Sequence, residues 1–465
     1  MSFVKNQFKN TVLALTLACP LVASQCTSEL IKKGMAHLDG AAQPFKDKVL
    51  ELSLYKHFGL DGLHGDWITD LNGKLAEFGY ESDFEGSDGN SLSAAYPALQ
   101  KKVPYIALGS LPTPIVKLDA ISQKHGMQVY MKNDSVSGGV DEEGAPLYGG
   151  NKVRKLGFLL AQAKALGAKK VMFPGCVGSN YAVAGAVHAR RLGLQPICML
   201  KHQPPSYVVQ HNLLMHQYYG SELHYSPNND IRALNALTVW LEHYKKDGQV
   251  PYLTPTGGSN VYGTLGFVDA AFELAQQIKQ GLVPKPTHIY VPTGSCATTA
   301  GILLGCKAAG IDAQIVAIAV EPDEDPSFAQ NIQKLFNETN KFLHENDNSF
   351  PLLSYTDEDL RIDLDSTGPN YGVFTQEGVE AATDLEESEG VILEGTYTGK
   401  AFAGLLKDIQ KLPSKNQQKP TVLFWNTYSG LKFTKQLKDR DYTKLPKCFH
   451  DYFQENNIQE LARKR

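Results

Sequence analysis

The sequence predicts an α/β protein with parallel-rich sheets flanked by helices and an N-terminal helical extension. From about residue 104 onward, short apolar runs typical of buried strands recur at 129–131, 171–173, 197–200, 288–291, 315–320 and 422–425. Helical segments lie between these runs at 152–166, 181–192, 207–218, 261–279 and 297–308. This alternation predicts parallel strands covered on both faces, with ligands binding where strands end and helices begin.

Glycines mark the ends of the predicted helices. Gly167, Gly193, Gly220 and Gly281 each follow a helical segment directly or within two residues. Glycine readily adopts the left-handed backbone conformation that terminates a helix. We therefore expect each of these helices to end at or just before its glycine.

The composition indicates a folded protein that binds a small molecule. Hydrophobic residues make up 42% of the 465 residues and charged residues 20%, which are ordinary proportions for a globular chain. The net charge of -4 includes no basic block that nucleic acid or an anionic membrane would require. The seven cysteines form no Cys-x-x-Cys pair, and the spacing of His211 and His216 does not put both on one helical face. No metal site is expected.

The first 24 residues have the layout of a secretory signal peptide. Lys5 and Lys9 precede an apolar run at 11–23, and the small residues Ala23 and Ser24 offer a cleavage site. Export to the periplasm or the exterior is the expectation, and a cytoplasmic protein with a mobile N-terminal helix is the alternative. No later stretch reaches the roughly 20 apolar residues that span a bilayer, so stable membrane insertion of the mature chain is not expected.

The loop before the helical segment at 152 contains an unusual lysine. Gly149, Gly150 and Asn151 lead directly to Lys152, and Lys155 follows within the first turn. A helix N-terminus favours anions, so a lysine there is electrostatically mismatched unless it is neutralised or meets a phosphate. A lysine that carries pyridoxal phosphate (PLP) in a Schiff base satisfies that condition, whereas a solvated surface lysine is the alternative.

Two further loops follow predicted strands and could hold anions. The loop at 293–301 is rich in small and hydroxyl residues whose backbone N–H groups can converge on a phosphate. The loop at 175–181 contains Ser179 and Asn180, which could grip a carboxylate or serve only as a helix cap. Neither loop has the glycine pattern of a dinucleotide site or the Gly-Lys-Ser/Thr of a nucleotide-binding loop, so those classes lose support.

Taken together, these motifs resemble one family. In order and spacing they match the D-cysteine desulfhydrase and 1-aminocyclopropane-1-carboxylate (ACC) deaminase family, within the tryptophan-synthase-β-like, fold-type II PLP enzymes. The resemblance covers about residues 104–432. The matching segments are Leu111-Pro112-Thr113-Pro114, Gly149-Gly150-Asn151-Lys152, Ser179-Asn180, Gly257-Gly258-Ser259-Asn260, 293–301 and Tyr397-Thr398-Gly399-Lys400-Ala401.

The resemblance implies a role for each matching residue. Lys152 would carry PLP and then move the α-proton of a small amino acid, while Ser179 and Asn180 would meet the substrate carboxylate. Tyr397 would stack on the pyridine ring and Tyr371 would approach the substrate, although either could be an ordinary half-buried aromatic. Lys155, Asn180 and the backbone of Gly294, Ser295, Cys296, Ala297 and Thr298 would bind the phosphate, and Thr293 is a further expected cofactor-binding residue.

Thr398 bears on the reaction. The deaminase branch has a glutamate after the stacking tyrosine, which keeps the pyridine nitrogen protonated. Thr398, as in the desulfhydrase branch, would offer that nitrogen a hydroxyl and make a weaker electron sink. This favours β-elimination from D-cysteine to pyruvate, ammonia and hydrogen sulfide. The alternatives are ACC deaminase or another PLP-dependent amino-acid deaminase, and a PLP- or amino-acid-binding protein without turnover.

Several departures from the family pattern concern substrate identity more than cofactor binding. Tyr181 stands where histidine or glutamine is usual, Cys296 and Ala297 replace glycines, and Gly157 replaces an acidic residue. An insert at 137–148 lengthens the approach to Lys152. Cys296 could be a reactive thiol, but simple packing is the favoured interpretation.

The family implies two domains with PLP in the cleft between them. We expect a large PLP-binding domain at 104–154 and 271–440 and a small domain at 155–270, preceded by an extension at 25–103 and followed by a tail at 441–465. Family members are commonly homodimers, so a homodimer is expected by resemblance alone.

Overall fold

The computed structural model describes residues 87–323, 327–412, 420–454 and 458–459. The predicted signal peptide lies outside the described residues, as does the extension before residue 87. Residues 87–103 of the extension are described and contain two short helices. Within the described ranges, no helix has the length and apolar character needed to cross a membrane.

The described residues contain ten strands in chain order. They are β1 Ile115–Lys117, β2 Gln128–Asn133, β3 Lys170–Cys176, β4 Gln195–Lys201, β5 Glu222–Ser226, β6 Tyr252–Leu253, β7 His288–Thr293, β8 Gln314–Ala319, β9 Leu360–Asp363 and β10 Thr421–Asn426.

Thirteen α-helices accompany the strands in the same part of the chain. They are α1 Ser91–Ala95, α2 Pro97–Lys102, α3 Asp119–His125, α4 Lys152–Ala165, α5 Asn180–Arg191, α6 Tyr207–Tyr218, α7 Asn229–Asp247, α8 Val261–Lys279, α9 Ala297–Ala308, α10 Phe328–Asn346, α11 Gln376–Glu389, α12 Thr398–Ile409 and α13 Thr434–Leu437.

The strands form two sheets. The larger has the order β1-β2-β10-β7-β8-β9, and the smaller has the order β5-β4-β3-β6. Every neighbouring pair is parallel except β1 and β2. The α/β prediction with parallel-rich sheets is therefore confirmed, while the exact domain boundaries stay a prediction. The strands of the smaller sheet all come from residues 170–253.

Helices α8 and α9 pack unusually closely beside the larger sheet. A Cβ atom added at Gly301 would lie 2.5 Å from the Phe267 Cβ, and one at Gly305 would lie 2.6 Å from the Ala271 Cβ. These glycines weaken the intrinsic stability of α9 but let the two helix backbones approach. The contact fixes α9, whose N-terminus follows the loop at 293–296.

A buried ionic cluster lies under the start of α4. The Arg154 guanidinium contacts Asp134 and Glu273, each at 2.9 Å, and Lys132 is also hydrogen-bonded to Glu273. Trp425 of β10 donates its indole N–H to Asp134 at 2.9 Å. Because these charges are paired, the cluster can hold α4 against strands β2 and β10 within an otherwise apolar interior.

Candidate active site

A cavity of about 980 Å³ opens at the carboxyl ends of β3 and β7, where the sequence predicted ligand binding. The N-termini of α4, α5 and α9 also face it. The predicted site residues that line the cavity are Lys152, Ser179, Asn180, Thr293, Gly294, Ser295, Cys296, Thr298, Tyr371 and Tyr397. Residues from distant parts of the sequence thus meet around one space. Lys155, Ala297 and Thr398 are buried and are not among the lining residues.

Lys152 is the first residue of α4 and is positioned by the end of β10. Gly150 has a φ of +83°, and a Cβ atom there would lie 2.6 Å from the Thr427 carbonyl oxygen. Asn151 donates its backbone N–H to that same oxygen at 3.0 Å. Burial lowers the pKa of Lys152 to about 8. Roughly a tenth of the amine is then neutral at pH 7, and this neutral form is the nucleophile that attacks a carbonyl.

Lys155 lies one turn away and is only 1% exposed. Its Nζ donates to the Gly257 carbonyl oxygen at 3.2 Å. Burial, together with the charge of Lys152, holds the pKa of Lys155 well below its usual range. The nearby Ser259 hydroxyl lines the cavity, is buried, and has no hydrogen-bond partner within the described chain. A bound phosphate would stabilise the charge on Lys155 and could accept a hydrogen bond from Ser259.

The loop at 293–299 forms the wall at the N-terminus of α9. Thr293 and Thr299 share a hydroxyl–hydroxyl hydrogen bond of 2.6 Å, which closes the loop. Cys296 has a φ of +66°, a left-handed conformation that is unusual for a residue other than glycine. Burial raises the pKa of its thiol to about 12, so this cysteine remains protonated. That agrees with a packing role rather than a reactive one.

The carboxylate-binding candidates are held by residues that the sequence did not single out. Ser179 caps α5 by accepting the Ala182 N–H at 3.2 Å. The Asn180 Oδ1 atom accepts hydrogen bonds from the Tyr148 hydroxyl at 2.8 Å and from the Asn212 side chain at 3.1 Å. With its oxygen held in this way, Asn180 keeps its amide N–H groups for the cavity. Tyr148 belongs to the insert at 137–148, which therefore supports the site.

The two predicted tyrosines meet at the opposite wall. Tyr397 donates its hydroxyl to that of Tyr371 at 2.9 Å, and the ring centroids are 5.8 Å apart in an edge-to-face arrangement. A Cβ atom at Gly294 would approach the Tyr397 ring to 3.3 Å, so this small residue leaves the ring beside the loop at 293–299. Burial raises the pKa of both hydroxyl groups, which remain neutral.

Glu394 is a cavity-lining carboxylate that was not among the site residues predicted from the sequence. It accepts backbone N–H groups from Thr396, Tyr397 and Thr398 at 2.7–2.9 Å, and burial raises its pKa. Thr398 Oγ1 in turn accepts the Glu394 backbone N–H at 3.0 Å. Glu394 lies four residues before the start of α12, and a helix N-terminus favours a negatively charged group nearby. An acidic residue just before a predicted helix was therefore the signal that the sequence offered.

Comparison with known proteins gives the family. The sequence pattern of the "Pyridoxal-phosphate dependent enzyme" family matches residues 106–427. This chain is a member of that family. The match contains both sheets and every lining residue of the cavity except Tyr428, and PLP is therefore the cofactor of this enzyme.

Three relatives place this PLP enzyme more narrowly. A Pyrococcus abyssi protein named for ACC deaminase activity is 31% identical over 71% of this chain and 93% of its own. A D-cysteine desulfhydrase of Klebsiella pneumoniae is 30% identical over 70% of this chain and 94% of its own. The crystal structure of an ACC deaminase homologue superposes with a TM-score of 0.61 at 30% identity, covering 75% of this chain and 99% of that chain. The enzyme is thus a PLP-dependent lyase of the ACC deaminase and D-cysteine desulfhydrase type.

The cavity residues fit PLP. Lys152 is a buried amine of lowered pKa at the wall. The Ser259 hydroxyl, which has no hydrogen-bond partner among the described residues, lies near Lys155 beside the loop at 293–299. One phosphate group could pair with the charge of Lys155, accept a hydrogen bond from Ser259 and bind at the N-terminus of α9. The Tyr397 ring provides a flat apolar surface for a pyridine ring.

Proposed function

We propose that the enzyme catalyses β-elimination from D-cysteine, with pyruvate, ammonia and hydrogen sulfide as products. The observation that carries the proposal is Thr398, a neutral hydroxyl directly after the ring-stacking Tyr397. Its oxygen accepts the Glu394 N–H at 3.0 Å, and its alternative acceptors, the Glu394 carbonyl and carboxylate oxygens, are both 3.4 Å away. Because these two donated hydrogen bonds are long, we infer that the hydroxyl exchanges them for a ring nitrogen when the cofactor binds.

Each of the cavity residues has a separate role in the proposed reaction. PLP supplies an electron sink for the electrons released at the substrate α-carbon. Lys152 removes the α-proton, for which its lowered pKa suits it. Ser179 and Asn180 hold the substrate carboxylate, and Lys155 and the loop at 293–298 hold the cofactor phosphate. Tyr371 lies next to Tyr397, where it can contact the substrate side chain.

The first experiment tests the cofactor and its lysine. Purified protein is incubated with PLP and its visible absorbance is recorded for wild type, Lys152→Ala and Lys164→Ala. Lys164 is an exposed lysine at the other end of α4 and serves as the matched control. We expect a borohydride-sensitive band in wild type and Lys164→Ala and no such band in Lys152→Ala. A colourless wild type would refute the role of Lys152 as the PLP-binding lysine.

A substrate panel then separates the candidate reactions. D-cysteine, L-cysteine, D-serine and ACC are compared by the release of keto acid, with sulfide measured for the cysteines. Preference for D-cysteine supports the proposal, whereas preference for ACC favours the deaminase alternative. A visible PLP band without keto acid from any of them would point to a binding protein. Export and a homodimer are further proposals, tested by fractionation and by light scattering.

A further inference from the structure

Arg232 is a buried cation on the cavity wall, and it has none of the roles proposed so far for the cofactor or the substrate. It lies in α7, is 3% exposed and lines the same cavity as Lys152. Its Nη1 donates to the Gly175 carbonyl oxygen at 3.1 Å and its Nη2 contacts the Thr256 hydroxyl at 3.4 Å. Its Nε is buried and has no hydrogen-bond partner among the described residues.

Among the described residues, Arg232 forms no salt bridge with a carboxylate; Glu321 lines the same cavity, and its charge reaches Cys176 and Tyr371. Arg154, by comparison, is buried between Asp134 and Glu273 at 2.9 Å from each. Placing an unpaired charge in the interior costs several kcal/mol. Arg232 is buried despite this cost, and its Nε donor has no partner among the described residues. Such a guanidinium is suited to bind an anion that enters the cavity from solution.

The surroundings of Arg232 separate it from the phosphate-binding end. The groups within electrostatic range of Lys155 are Lys152 and Cys296, whereas those of Arg232 are Cys176 and Tyr371. Gly175, which accepts the Arg232 hydrogen bond, packs against Ser179: a Cβ atom added there would lie 2.7 Å from the Ser179 hydroxyl. Arg232 therefore lies between the proposed carboxylate-binding loop and the tyrosine that faces the substrate.

We propose that Arg232 binds a negatively charged group on the β-carbon of the amino-acid substrate and thereby determines substrate specificity. This inference rests on the proposed β-elimination. For D-cysteine the group is the thiol sulfur, which is neutral in the substrate and becomes negatively charged as the Cβ–S bond breaks. Lys152 takes the α-proton, the electron pair of that bond forms the Cα–Cβ double bond, and the Cβ–S bond breaks. Its electron pair leaves with sulfur as hydrosulfide, whose charge the guanidinium stabilises until water protonates it.

D-aspartate and D-asparagine provide the direct test, because they have nearly the same shape and differ in the charge of the β-substituent. Calorimetry on the PLP-loaded protein measures the affinity for each ligand in wild type, Arg232→Gln and Arg232→Lys. A charged hydrogen bond changes affinity by about tenfold to a hundredfold. We expect wild type to prefer D-aspartate by about that factor, Arg232→Gln to lose the preference and Arg232→Lys to keep part of it.

Stability gives an independent readout that does not depend on turnover. Since Arg232 forms no salt bridge among the described residues, Arg232→Gln should retain the PLP band and melt at the same or a higher temperature than wild type. Strong destabilisation by Arg232→Gln would assign the arginine a structural role and overturn the inference.

The remaining outcomes separate this inference from the proposed function. Equal weakening of both ligands in the variant would place Arg232 at the α-carboxylate and also overturn the inference. If D-cysteine is not turned over but the charge preference exists and depends on Arg232, the anion-binding role stands and only the proposed reaction fails. If D-cysteine is turned over without any charge preference, the reaction stands and the role of Arg232 fails.

Discussion

Replacing Arg154 with methionine removes a cation that two buried carboxylates share. The guanidinium donates to both oxygens of Asp134 and to both oxygens of Glu273 at 2.9–3.1 Å. Methionine fills similar space without charge, so Lys132 remains as the cation of the cluster. Breaking a buried ion pair by removing one partner costs about 3–5 kcal/mol, and we expect the free energy of unfolding to fall by about that amount.

The stability lost in Arg154→Met should also depend on pH. Burial favours the neutral acid of Glu273, but Arg154 and Lys132 outweigh that effect and hold its pKa at about 2, below the ordinary 4.5. Because the folded pKa is the lower one, this contribution is complete above about pH 4.5 and is lost as pH falls through about 2. At 1.36 kcal/mol per pKa unit it amounts to about 3 kcal/mol. Without Arg154 the pKa of Glu273 rises, so the difference between wild type and variant shrinks on acidification.

Urea unfolding followed by tryptophan fluorescence measures both effects, since Trp425 is hydrogen-bonded to Asp134 within the cluster. The comparison is made at about pH 7 and about pH 3, because most of the contribution is lost only between the two pKa values. Lys164→Met, at an exposed position of the same helix, should change stability by less than about 0.5 kcal/mol. A loss below about 1 kcal/mol for Arg154→Met, or the same loss at both pH values, would refute the reasoning.

Two further predictions concern residues that support the cavity. Tyr148→Phe removes the hydroxyl that donates to Asn180 at 2.8 Å, so KM for the substrate should rise about threefold to tenfold while the PLP band is unchanged. Steady-state kinetics showing a change in kcat alone would contradict it. Glu394→Ala leaves the N–H groups of residues 396–398 without their acceptor and should cost at least about 2 kcal/mol. The control is the exposed Glu387→Ala, and equal thermal stability of the two variants would count against the prediction.

The sequence predicted those parts of the fold whose signals are local. Helices α6, α8 and α9 have the predicted boundaries, and Gly167, Gly193, Gly220 and Gly281 all have positive φ values. The short strands β1, β6 and β9 and the half-exposed β5 were not predicted. Strands of this kind lack a long apolar run, and partners distant in sequence decide whether they form.

The candidate site likewise contains residues that local sequence signals predicted and residues that they did not. Lys152 and the three loops are recognisable because small residues and polar caps follow strands. Arg232 gave no comparable signal, since an arginine within a helix normally has a solvated head group. Its burial depends on how α7 packs beside Gly175 and Thr256. Tyr148 likewise gains its importance from contacts with Asn180 and Asn212, which lie 32 and 64 residues further along the chain.

The position of β10 in the larger sheet affects when the protein can mature during its synthesis. Thr421 of β10 pairs with Gln128 of β2, and the Thr427 carbonyl just beyond β10 receives the backbone N–H that precedes Lys152. The smaller sheet can assemble as soon as residue 253 has left the ribosome. The cofactor lysine, by contrast, is positioned only after residue 427 has been translated. Nascent and prematurely terminated chains are therefore expected to fold in part without capturing PLP.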